Sequence, residues 1–206
     1  MNTPATITSL DQLETLYEPP SERVRLKQID HLDEHCRAFI AASPFVLLAT
    51  FGVTGADCSP RGDRPGFVTV EDDKTLLLPD RRGNNRIDSL RNVIENPAVG
   101  LLFLIPGVHE TFRINGRAQI SVDPVLLARF AVDGKPPKSV LIVTVLEAFV
   151  QCARALVRSD LWNPALHVRR ADLPSIGTIL AAHTGGKVDA ASYDEEAEIR
   201  MPATLY

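Results

Sequence analysis

Short apolar runs bounded by turn residues organise the middle of this chain. Phe45 to Phe51 (FVLLATF) is a continuous apolar run closed by GVTG, which predicts a buried strand. DCSPRGD follows. It is short and contains Pro60, so it predicts an edge or bulged strand. GFVTV and TLLLP flank the polar EDDK and read as a hairpin. VGLLFLIPG predicts another buried strand. TFRINGRAQI alternates with a period of two: Phe112, Ile114, Ala118 and Ile120 share one face, and Arg113, Asn115, Arg117 and Gln119 the other. SVLIVTVLEAFVQCARAL begins as a long strand rich in Val.

Helical spacing appears between these runs. In DHLDEHCRAFIAASP, Leu32, Cys36, Phe39 and Ile40 fall on one face. Asp30 is the predicted cap, with Asp33 three residues on, and Pro44 the stop. RIDSLRNVIE carries Ile87, Leu90 and Ile94 on one side, with Asn85 as predicted cap and Asn96-Pro97 as terminator. DPVLLARFAVDG predicts a helix capped by Asp123 with Pro124 at its first position. A short helix is expected near Ser9 to Tyr17 in a polar lead-in, residues 1–29. A single helix, LPSIGTILAAH, is expected in the tail, residues 172–206. Strands follow one another early and no βαβ rhythm appears. The expected fold is therefore α+β: an antiparallel split β-barrel of about six or seven strands with peripheral helices, as one domain spanning residues 1–206.

Composition narrows the function classes. With 206 residues and 45% hydrophobic content, the chain can bury a core without staples. A net charge of −4 argues against a dedicated nucleic-acid binder. No apolar run approaches the ~18 residues that span a bilayer. The first twenty residues have neither the basic start nor the apolar stretch of a signal peptide, so a cytoplasmic setting is expected. Cys36, Cys58 and Cys152 have no paired spacing, and the five histidines have no metal-ligand spacing with any carboxylate.

The chemistry concentrates in PDRRGNNRIDSL. A helix start offers unpaired N–H groups and the positive end of the helix dipole. Gly83 permits close backbone approach, Arg81, Arg82 and Arg86 supply planar donors, and Asn84 and Asn85 donate as well as cap. Arg61, in SPRGDR on an expected neighbouring strand, supplies a second cationic segment. The reading is a phosphate site. It matches neither the P-loop nor the dinucleotide fingerprint, because GxxxxGK[ST] and GxGxxG are absent.

In order along the chain, SPRGD, FVTVEDDKTLLLPDRRGNNRIDSLRNVIENP, VGLLFLIPG, TFRINGRAQI and FVQCARALVRSDLWNP resemble the pyridoxamine 5'-phosphate oxidase-related, FMN-binding split-barrel superfamily, over roughly residues 30–165. The resemblance implies a homodimer with FMN at the subunit interface. It implies that Arg61 holds the phosphate from a strand, and that Arg82, Asn84, Asn85 and Arg86 hold it from the loop. Pro79 and Asp80 would offer backbone near the isoalloxazine edge, and Trp162 would approach the flavin from the partner subunit. Gln151 and Arg154 are further candidates. Partners expected otherwise are a small-molecule substrate or electron donor, with no nucleic acid and no membrane.

The sequence also departs from the authentic oxidase. Where that enzyme carries an Arg-x-Val-Leu-Leu-Lys strand, this chain reads SPRGDR, and its Ser-Arg-Lys loop is here DRRGNNR. Its C-terminal Arg-Leu-x-Pro is missing. Residues that would grip a pyridoxal-type substrate are not identifiable, so pyridoxal phosphate synthesis is not expected. The resemblance points to an FMN-dependent oxidoreductase of unknown substrate, with no catalytic residue named. Two alternatives stay open: a flavin-binding sensor or carrier without turnover, and a split barrel that holds haem or a deazaflavin.

Overall fold

A computed structural model describes residues 6–206; the start of the predicted lead-in, residues 1–5, lies outside the described residues. Seven strands form one antiparallel sheet: β1 (Phe45–Gly52), β2 (Gly55–Gly62), β3 (Thr69–Val70), β4 (Thr75–Pro79), β5 (Ala98–Leu104), β6 (Thr111–Ser121) and β7 (Val140–Gln151). Their order is β2-β1-β5-β6-β7-β4-β3, so the sheet curls without closing. This is the split barrel that the alternating pattern predicts. The Pro60-containing strand β2 lies on an edge, where a residue without an N–H costs no ladder bond; at eight residues it is not the short strand expected.

Inside the curl, Leu48, Leu76, Leu78, Leu101, Phe103, Phe112, Ile114 and Val143 form the core. One irregularity keeps that core apolar along the whole of β7. Asn115 pairs with Glu147 but Gly116 pairs with Val145, so Leu146 is an extra residue. A bulge shifts the inward parity of the strand that carries it. Leu141, Val143 and Val145 point inward before the bulge and Ala148 after it, while Leu146 is pushed out to 52% exposure. Gly116 sits opposite the bulge because a Cβ there would meet the Thr144 carbonyl oxygen at 2.3 Å.

Eight helices accompany the sheet among the described residues. In the lead-in are α1 (Leu10–Glu14), the short helix expected there, capped by Ser9, and α2 (Glu22–Leu26), which the sequence pattern does not reveal. Beyond α2, Ile29 bridges to Ala148 and extends the β7 edge past β4. Helix α3 (Glu34–Ala42) buries Cys36 and Ile40 in the core, with Leu32 just ahead of it. Burial pushes the Cys36 thiol up to about 11, as suits a core side chain. The cap of α3 is Asp33, whose carboxylate accepts from Cys36 N–H at 2.8 Å. Asp30, the expected cap, instead pairs with Lys74 at 2.8 Å.

Helix α4 (Asp88–Glu95) packs on β1, β2 and β6. It begins two residues later than the spacing predicts. Asn85 is not its cap; Ile87 occupies that position, in the left-handed region at φ 55°. Helix α5 (Pro124–Arg129) is capped by Asp123 as expected and covers Leu77 and Val140 on the outer face. Then follow α6 (Arg154–Ser159), α7 (Ile176–His183) and α8 (Ala190–Ala203). The tail thus contains a second helix, α8, where one was expected. No described helix is long and apolar enough to cross a membrane.

Candidate functional site

The arginine loop lies between β4 and α4, on the sheet's open side. Arg61 is on β2, at the far end of the strand order from β4, so the two cationic segments are not on neighbouring strands. They meet across the split instead, through side chains. Asp63, just after β2, accepts from Arg81 Nε at 2.7 Å, and Arg81 Nη1 donates to the Phe130 carbonyl at 2.6 Å. The Asp63 side chain is only 5% exposed. Burial alone would raise its pKa. Hydrogen bonds from Tyr206, the Arg64 N–H and Arg81 outweigh that, and the carboxylate is held below its usual range.

This ion pair determines which cations are left for a ligand. Arg81 is engaged within the chain and acts as the hinge pin of the loop. Arg86 is paired with Asp88 at 2.8 Å. Arg61 donates only to the adjacent Pro60 carbonyl. Arg82 is exposed and makes no hydrogen bond or ion pair among the described residues. Lys138, arriving from the loop before β7, makes one long contact, 3.4 Å, to Asn85 Oδ1. Arg61 and Lys138 both act on the Asp80 carboxyl and Arg82 stands in the loop that follows it; none of the three has a carboxylate hydrogen-bonded to it among the described residues.

The floor of the corner is polar. Residues 57, 59 and 61 alternate onto the half-buried face of β2. Asp57 accepts from Ser59 Oγ at 2.9 Å and from the buried Ser89 Oγ at 2.8 Å, which ties β2 to the first turn of α4. Asp80 is half-buried. Burial raises its pKa, against the opposing pull of Arg61 and Lys138. Pro79 is buried in β4, paired with Val140. Asn84 Oδ1 accepts from Arg86 N–H at 3.1 Å. Asn85 and Ile87 both have positive φ, 61° and 55°. Asn tolerates that region, but a β-branched residue there is strained. These left-handed residues interrupt the helical path, and α4 begins only at Asp88.

Gln151 and Trp162 do not join this corner in the single chain. Gln151 pairs with Thr111 at the end of β7 opposite Val140, and Val140 pairs with Pro79. Eleven residues of strand separate the two ends, roughly 35 Å of chain. Trp162 is half-buried and donates Nε1–H to the Val108 carbonyl at 2.8 Å; Arg154 is exposed at the start of α6. The sequence pattern passed over Asp63, Ser59, Ser89 and Lys138. Asp63 was within reach, since it follows Arg61 by two residues. Nothing local marks Lys138, which is brought in by the turn before β7.

The family model described as pyridoxamine 5'-phosphate oxidase matches residues 32–152, the segment that carries α3, all seven strands and the arginine loop. The chain belongs to this family. Among solved structures, a putative pyridoxamine 5'-phosphate oxidase from Lactobacillus delbrueckii is 20% identical, with a TM-score of 0.47, covering 59% of this chain and 95% of its own. HupZ from Group A Streptococcus is 21% identical, with a TM-score of 0.46, covering 57% and 92%. General stress protein 26 from Bacillus anthracis is 19% identical, with a TM-score of 0.39, covering 52% and 82%. No curated protein matches the sequence.

Proposed function

We propose that this member of the pyridoxamine 5'-phosphate oxidase family binds FMN and serves as an FMN-dependent oxidoreductase. The observation that carries the reading is that Arg61 and Lys138 both act on the Asp80 carboxyl beside the loop that carries Arg82, none of the three bound to a carboxylate, while Arg81 and Arg86 are paired. Guanidinium and ammonium groups without a bound carboxylate suit a phosphate monoester. The side-chain amides of Asn84 and Asn85 add neutral donors. The donor set fits the phosphate of FMN. When bound, the flavin supplies the electron or hydride transfer. The chain's own residues then bind and orient it: Arg61 and Arg82 grip the phosphate, and Arg81 fixes the loop.

The remaining candidates support a homodimer. Gln151, at the far end of β7, and Trp162, against the loop before β6, lie too far away to reach the corner of their own chain, so they would serve a second copy's site. Phe51, Leu146 and Val150 leave apolar surface exposed on the barrel for such a contact. Two copies would then share two FMN sites at their interface.

The test is FMN titration, followed by absorbance, of wild type, Arg61→Ala and Arg82→Ala. Each charge-assisted hydrogen bond contributes about 1.5–3 kcal/mol, so each variant should bind FMN on the order of ten- to a hundredfold more weakly with an unchanged fold. Retention of wild-type affinity in both would refute the phosphate assignment.

A further inference from the structure

The helical tail reaches the candidate site through one side chain. Helices α7 and α8 pack chiefly on each other, crossing where a Cβ on Gly177 would meet the Ala190 carbonyl oxygen at 2.2 Å. Beyond α8, Tyr206 returns to the barrel. Its hydroxyl donates to Asp63 Oδ1 at 2.6 Å, and its ring lies 5.6 Å from the Arg81 guanidinium. Lys135 Nζ approaches its main-chain oxygen at 3.4 Å.

The two oxygens of one buried carboxylate are thus divided: Oδ2 takes Arg81, and Oδ1 takes Tyr206 together with the Arg64 N–H. Asp63 lies two residues after Arg61, and Arg81 immediately precedes Arg82. Whatever fixes the orientation of the Asp63–Arg81 pair fixes the spacing between the two arginines proposed to grip the phosphate. We infer that Tyr206 is a positioning residue for the phosphate grip, and that the α7–α8 hairpin is the arm that delivers it. The inference rests on the FMN reading above. It assigns the tail a role in ligand affinity without contact between the tail and the ligand.

A general stability clamp and a positioning residue make different predictions. Riboflavin carries the same ring system as FMN but no phosphate. Tyr206→Phe keeps the ring over Arg81 and removes the bond to Asp63. Positioning predicts that this variant binds FMN about three- to tenfold more weakly, while its riboflavin affinity is unchanged. It also predicts faster tryptic cleavage after Arg82 or Arg86 in the ligand-free protein, because the loop loses its outer tie. Wild-type FMN affinity in Tyr206→Phe would overturn the inference and leave the FMN reading standing. Equal weakening of FMN and riboflavin would overturn it in favour of a structural clamp. A wild-type protein that takes up neither ligand would overturn the FMN reading, and this inference with it.

Discussion

Asp63→Asn tests whether one ion pair holds the two ends of the sheet together. Asn keeps the shape of the side chain and one acceptor but removes the charge. In the wild type that charge, 5% exposed, accepts from Arg81 at 2.7 Å, from Arg64 N–H at 2.8 Å and from Tyr206 at 2.6 Å. Removing one partner of a fully buried pair costs about 3–5 kcal/mol. Arg81 is 18% exposed and keeps the Phe130 carbonyl, and Asn still accepts a neutral bond, so about 2 kcal/mol is the appropriate figure here. In urea, at a slope of about 2 kcal/mol/M, the midpoint should fall by about 1 M at neutral pH. The sign with pH is fixed as well. The Asp63 pKa is lower in the fold than in the unfolded chain, where a carboxylate titrates near ~3.9. Its contribution is complete above that value and is lost as pH falls through the folded pKa. The gap between wild type and variant should therefore shrink on acidification. A neutral-pH midpoint within about 0.2 M of wild type would refute the reasoning, as would a gap that persists well below pH ~3.

Asp80→Asn should act in the opposite direction. Burial raises the Asp80 pKa in the fold, so the ionised form is disfavoured there, and stability falls as pH rises through the folded value. The variant should melt above wild type at neutral pH and equal it below about pH 4, as thermal unfolding at the two pH values would show. Gly116→Ala places a Cβ 2.3 Å from the Thr144 carbonyl oxygen, where the obstacle is backbone rather than a movable side chain. It should cost about 2–3 kcal/mol and lower the melting temperature by several degrees; an unchanged melting temperature would mean that the bulge adapts freely.

The strands were legible because their evidence is local. Alternation from Phe112 to Ile120 fixes a face without knowledge of any neighbour, and Pro60 identifies an edge by removing a donor. The order of the strands was not legible. GFVTV and TLLLP follow β2 directly in sequence, yet β1, β5, β6 and β7 separate β2 from β4 in the sheet. The helix start misled for a physical reason. Asn85 followed by Asp88 has the composition of a cap, but the left-handed Ile87 delays the first turn. In the candidate site, composition pointed to the arginines as a group and could not rank them. Rank depends on which carboxylate reaches which guanidinium: Asp63 engages Arg81, Asp88 engages Arg86, and Arg82 is left over. The Tyr206 contact bridges residues 63 and 206, and no spacing rule extends that far.

A sheet that curls without closing has a seam, and among the described residues this one carries no ladder of backbone hydrogen bonds. A side-chain latch spans it. An anion gripped at once by Arg61 on one bank and Arg82 on the other would be a second latch in parallel with Asp63–Arg81. Breathing of the barrel and escape of the ligand would then be the same motion, so that occupancy suppresses opening and opening releases the occupant. In a protein built this way, amide exchange along β2 and β4 becomes a gauge of whether the site is filled.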